Sequence, residues 1–167
     1  ALADVATSCS TAEVDEEGRR VAGDPTEVAL LAFAQSHGRD VRVSTRERRR
    51  VALFAFDSAL KLMTTVDDDD GRLTAFTKGA PERILPLCTL SDDGRAAAFA
   101  VAEAHAAKGL RVLALARRRL DALGDRGEVE RELEYVGLVA LLDPPRPEVS
   151  AAVTQLARFL LSPRLPR

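Results

Sequence analysis

Four consecutive carboxylates, Asp67-Asp68-Asp69-Asp70, are the first residues whose spacing suggests chemistry. A calcium loop, however, alternates its ligands along the chain. Adjacent acids followed by Gly71 instead describe a solvated turn, and Asp-Gly between two strands is a hairpin signal. Cys9, Cys88, His37 and His105 are too few and too scattered for a zinc site or a disulfide framework. The cysteines read as reduced thiols. No Gly-x-x-x-x-Gly-Lys-Ser/Thr segment is present, so phosphates are not cradled as in P-loop enzymes. Arg46-Glu47-Arg48-Arg49-Arg50 is a basic run that reads as a solvated loop. The formal net charge of −2, with no Trp and one Tyr, argues against a nucleic-acid surface.

The elements that would position these residues follow from pattern. With 46% hydrophobic and 30% charged residues, the chain of 167 can build a core and suits one compact domain. The longest apolar run, Val136 to Leu142 with Gly137 inside it, falls far short of the ~20 residues of a membrane span. The chain itself is therefore expected to be soluble, although its parent need not be. Ala1 to Ser10 suggests a short helix. Asp24-Pro25-Thr26-Glu27 predicts a helix start: Asp24 caps, Pro25 fits the first position and Glu27 sits where a capping-box acid belongs. Gly38 stops that helix. Strands are predicted over 51–56, 60–66 and 73–77. A helix opens at Pro81 and runs to about Cys88. An Ala-rich helix covers 95–108 and closes at Gly109. Strands at 110–116 and 133–142 follow, separated by a polar connection. Asp143-Pro144-Pro145-Arg146-Pro147 ends regular structure, because proline removes donors and fixes the backbone. Tightly joined strands with helices inserted between others predict an α+β fold, an antiparallel or mixed sheet with helices on one side.

Five segments now stand in order: Gly23-Asp24-Pro25-Thr26-Glu27-Val28-Ala29-Leu30, Phe56-Asp57-Ser58-Ala59-Leu60-Lys61-Leu62-Met63-Thr64, Lys78-Gly79-Ala80-Pro81-Glu82, Leu110-Arg111-Val112-Leu113-Ala114-Leu115-Ala116 and Asp143-Pro144-Pro145-Arg146. The series closely resembles the nucleotide-binding domain of P-type ATPases, above all the type II cation pumps that include the calcium-transporting group. The resemblance spans about Ala1 to Val149. It implies a twisted, mainly antiparallel sheet flanked by helix pairs. It also implies a domain at the cytosolic face of a cell-membrane pump that holds ATP, as Mg-ATP in the full pump. That domain presents the terminal phosphate to an aspartate on a separate phosphorylation domain, and its partners would be the pump's phosphorylation and actuator domains.

The same resemblance assigns site residues. Phe56 matches the aromatic that stacks on adenine, although a Phe on an apolar strand is ordinarily core. Glu27 matches the acid facing the adenine amino group, a role suited to an acceptor-only carboxylate. Lys78 matches the lysine lining the base of the pocket, and Gly79 beside it would leave room for a ligand to approach the backbone. Lys61 would serve the phosphates, and Met63 would line the pocket. Arg111 matches an arginine that reaches the phosphate chain through its fork of donors. Leu113 points the same way from the strand and would pack on base or ribose. Ser58 departs from the family, which often has Arg there, so one phosphate contact is missing or supplied elsewhere.

The Asp-Lys-Thr-Gly-Thr motif of the phosphorylated aspartate is absent from these 167 residues, and so is a Thr-Gly-Asp segment. An aspartyl-phosphate needs its nucleophile, metal and positioning lysine together. The chain is thus expected to bind ATP without hydrolysing it, as a portion cut from a pump. The nucleotide-binding domain is expected over 1–142. Residues 143–167 are read as a hinge return followed by an atypical, poorly packed tail. The competing readings are an enzyme in its own right, which the missing nucleophile argues against, and an interaction domain that kept the fold and lost the ligand.

Overall fold

The computed structural model describes residues 1–15, 17 and 19–142. The expected hinge and tail, residues 143–167, lie outside the described residues, as does the Asp143-Pro144-Pro145-Arg146 segment. In chain order the elements are α1 (Leu2–Ser8), β1 (Glu13–Val14), β2 (Arg20–Ala22), α2 (Pro25–Ser36), α3 (Val43–Arg49), β3 (Arg50–Asp57), β4 (Leu62–Asp69), β5 (Arg72–Gly79), α4 (Pro81–Ile84) with a following 3-10 turn (Leu85–Leu87), α5 (Asp92–Ala106), β6 (Arg111–Leu120), α6 (Arg126–Val129) and β7 (Glu134–Leu141).

Strands β3 to β7 form one sheet in sequence order, every neighbour antiparallel. The β4–β5 hairpin closes through Asp70 and Gly71, at φ 52° and 82°. Two consecutive positive φ values define the turn whose twist matches the flanking strands. The turn is tighter than the sequence predicts. Asp67 to Asp69 continue the strand, paired with Thr74, Leu73 and Arg72, and Asp67 is buried at 6% exposure. The solvated-turn reading therefore holds for Asp70 and fails for Asp67.

Alternation along β6 separates the two faces. Leu113 and Leu115 pack toward the α1–α2 side, with Ala3, Ala6, Leu30 and Leu31 beside the first and Val5 and Cys9 beside the second. Ala114 and Ala116 pack on the opposite side with Ile84, Cys88 and Leu133. Helices therefore cover both faces of the central strands, a pair on each side, and the expectation of helices on one side alone is corrected. The physical reason is β4 and β6 themselves, which bury side chains from both faces.

The basic run is a second correction. Residues 43–49 form α3, and Arg46 is almost fully buried at 1% exposure. Its guanidinium donates to three carbonyls, Val41 O at 3.1 Å, Ser10 O at 2.7 Å and Ala12 O at 2.5 Å. Arg50 adds bonds to Ser8 O and Ser10 O. A fork of fixed donors tolerates burial when each finds an acceptor. The pair ties the segment after α1 to the start of β3.

Candidate functional site

Phe56 owes its position to a bulge. Phe54 pairs with Thr64 and Asp57 with Leu62, so Ala55 and Phe56 together stand opposite Met63. Two residues against one reverse the alternation beyond that point. Phe54 packs with Val66, Ala75 and Val129 on one face of the sheet. Phe56 instead joins the cleft that Met63 and Lys78 line on the other, the residue being 64% exposed. The bland expectation of a core Phe does not hold. A large apolar ring this open, inside a concavity, is the feature that asks for an occupant.

The cleft measures about 410 Å³. Glu27, Phe56, Lys61, Met63, Lys78, Gly79, Arg111 and Leu113 all line it. Residues from five elements and one turn thus converge: α2 supplies Glu27, β3 Phe56, β4 Met63, β5 Lys78 and Gly79, β6 Arg111 and Leu113, and the β3–β4 turn Lys61. Register explains the convergence, since Met63 and Lys78 are directly paired and share a face.

Asp24 caps α2 by accepting from Thr26 N at 2.8 Å, and Pro25 holds the first position, as the sequence predicts. The cap aims the first turn of α2 at β5 and β6. Glu27 uses its carboxylate away from its own helix end. Oε2 accepts from Thr11 N at 3.0 Å and Thr11 Oγ1 at 2.9 Å, while Oε1 accepts from Lys78 Nζ at 2.5 Å. Both side chains of the ion pair are about nine-tenths buried, at 11% and 9% exposure. Burial pushes the Glu27 carboxyl up, but the Lys78 charge and the bonds from Lys78 and Thr11 outweigh it and hold it below the usual carboxylate range. Burial likewise raises Asp24, and the bonds from Thr26 and Glu27, with the Arg111 charge, leave it depressed. The cleft floor therefore holds a carboxylate that stays ionised beside an ammonium.

The remaining expected residues differ in detail. Met63 is buried at the floor, packed with Val5, Cys9 and Leu115. Leu113 is half-buried against the α1–α2 core. Arg111 donates to Thr26 Oγ1 at 2.7 Å, across 85 residues of chain. Lys61 is exposed, carries φ 55° and places Nζ 3.1 Å from Glu82 Oε1. Its turn is strapped by Asp57, which accepts from Ala59 N and Leu60 N, and by Arg83, which donates to the Ala59 and Leu60 carbonyls. Ser58 lies exposed in that turn. Gly79 departs from expectation in its reason. A Cβ there would meet Lys61 O at 2.5 Å and Leu62 Cβ at 2.7 Å. The missing side chain admits the neighbouring strand, and Gly79 also lines the cleft.

Sequence reasoning missed Asp24, Thr26, Ala80 and Val112 as cleft residues and Thr11 behind them. The first four lie inside the motif segments, beside the residues assigned to the site, and that adjacency was the available signal. Thr11 carries no local signal, because its partner lies 16 residues away. Burial pushes the thiols of Cys9 and Cys88 up to about 11, so both are inert at neutral pH.

Fold and site together define a class. Residues 1–148 match the family described as P-type ATPase, cytoplasmic domain N, and the chain belongs to that family. It is similar to the cation-transporting ATPase pma1 of Synechocystis sp., 36% identical over 158 residues that cover 87% of this chain and 17% of that protein. It is 38% identical over 159 residues to the sodium/potassium exporting P-type ATPase cta3 of Schizosaccharomyces pombe, covering 86% and 15% respectively. It is 34% identical over 161 residues to calcium-transporting ATPase 1 of Lactococcus lactis, covering 88% and 18%. The chain thus spans 15% to 18% of the length of these relatives. Among the described residues no helix is long and apolar enough to cross a membrane.

Proposed function

We propose that this domain binds ATP in the cleft under Phe56. Adenine stacks on the exposed ring, where base–aromatic contact contributes roughly 1–3 kcal/mol. Glu27 accepts from the exocyclic amine, with Lys78 beside it, and Leu113 and Met63 give the base and ribose an apolar wall. Lys61 and Arg111 stand on the cleft lining as cations for the phosphate chain, which leaves toward solvent. The observation that carries this reading is Phe56, turned by a bulge into a cleft whose floor is an ionised carboxylate.

Family membership and the relatives' names support the rest. The domain serves a cation-transporting pump of the cell membrane at its cytosolic face, and hands the terminal phosphate to an aspartate on the phosphorylation domain. The actuator domain is the further partner in the cycle. Magnesium accompanies the nucleotide in the full pump. The carboxylates of this cleft, Glu27 and Asp24, are already engaged by Lys78 and by the α2 cap. No step is therefore assigned to a metal held by this chain. The domain binds without turnover.

Calorimetry tests the reading. Phe56→Ala is expected to weaken ATP binding by about tenfold or more while the fold is retained, since the ring is exposed and its loss leaves no cavity. Unchanged affinity would place the base elsewhere.

A further inference from the structure

Glu27 is held from behind by a residue that does not line the cleft. Thr11 gives it two donors on one oxygen, the backbone N–H and the hydroxyl. Lys78 takes the other oxygen. An ionised carboxylate offers roughly four acceptor positions. Three are occupied, so about one is left for a donor arriving through the cleft. Thr11 is itself fixed by its flanks. The carbonyls on either side of it, Ser10 O and Ala12 O, both receive the buried Arg46 guanidinium, and Arg50 adds a second bond to Ser10 O. The Ser10 hydroxyl also accepts from Ala12 N at 3.2 Å. A loop residue between two clamped carbonyls has little freedom to turn.

We infer that Thr11 is a positioning residue for the nucleotide site, orienting the Glu27 carboxylate so that its remaining acceptor position faces the 6-amino group of the base. The inference rests on the ATP-binding reading. It assigns the discrimination between a 6-amino and a 6-oxo purine to the Arg46–Thr11–Glu27 chain rather than to Glu27 alone. Without the hydroxyl, Oε2 keeps one bond of two, and the carboxylate can rotate about its last torsion, which is broad and weakly restrained. The base would still stack on Phe56, so stacking and selectivity separate.

The experiment compares ATP with inosine triphosphate, which lacks the 6-amino group, on the whole chain by calorimetry. The variants are wild type, Thr11→Val, Thr11→Ala and Thr11→Ser. Thr11 is exposed, so loss of its hydroxyl is not expected to unfold the domain, and backbone amide dispersion verifies this. Wild type is expected to prefer ATP. Thr11→Val and Thr11→Ala are expected to lose about fivefold or more of that preference, and Thr11→Ser to keep it within about twofold, because a hydrogen bond to a charged group is among the stronger ones. A folded Thr11→Val with the wild-type ratio would overturn the positioning role while leaving the cleft reading intact. Failure of wild type to bind either nucleotide would overturn the cleft reading itself. A loss shared by Thr11→Val and Thr11→Ser would also overturn the inference, since the hydroxyl would not be the cause.

Discussion

Phe56 and Lys61 sit five residues apart, yet the structure gives them different freedom. The Phe56 ring stands open in the cleft on a bulged strand. Lys61 holds its backbone in a strapped turn while its ammonium remains exposed beside Glu82. An exposed pair of this kind contributes little to stability, so Lys61 can exchange Glu82 for a phosphate at small cost. Lys61→Ala is therefore expected to lower affinity for ATP severalfold and to leave adenosine binding nearly unchanged, as measured by calorimetry with both ligands. Equal losses would remove the phosphate role. Ser58, where an arginine was the family expectation, is exposed in the same turn. Lys61 and Arg111 are the cations of the cleft lining besides Lys78, which is paired with Glu27.

The residues that line the cleft were largely legible because each lies in a short motif whose order was intact. The elements beneath them were less so. Asp24 and Pro25 announce α2 through local chemistry alone. The bulge at Ala55 and Phe56 is set by pairing with β4, and no local pattern reports a register. Arg46 reads as a surface charge because its acceptors, Ser10 O and Ala12 O, lie 36 and 34 residues away. Asp67 reads as a turn because the strand continues past its apolar part, drawn on by pairing with β5. Each of these failures is testable. Arg46→Met would leave buried carbonyls without donors and is expected to cost on the order of 3 kcal/mol in urea unfolding. Asp67 is buried with Oδ1 unpartnered, and burial raises its carboxyl above the ordinary 3.8. The native state therefore binds this proton more readily than the unfolded chain, and stability falls as pH rises from the unfolded value through the folded one. Asp67→Asn is expected to raise the melting temperature at pH ~7, with the gain shrinking as pH falls toward ~4. A gain that grew on acidification would contradict the assignment.

A sheet covered on both faces by helix pairs leaves the cleft at one end of the central strands, framed by the start of α2. Its rigid walls come from β4, β5 and β6, and its one open aromatic from β3. This division suits a domain that grips one end of a nucleotide and leaves the other projecting. It also fits a chain that covers less than a fifth of the length of the relatives it matches. The most direct test of the account is an amide-resolved NMR titration of the isotope-labelled chain with ATP to millimolar concentration. The expected result is saturable shifts clustered at Glu27, Phe56, Lys61, Lys78 to Ala80 and Arg111 to Leu113. A well-dispersed spectrum that does not move, or moves only away from this cleft, would contradict it.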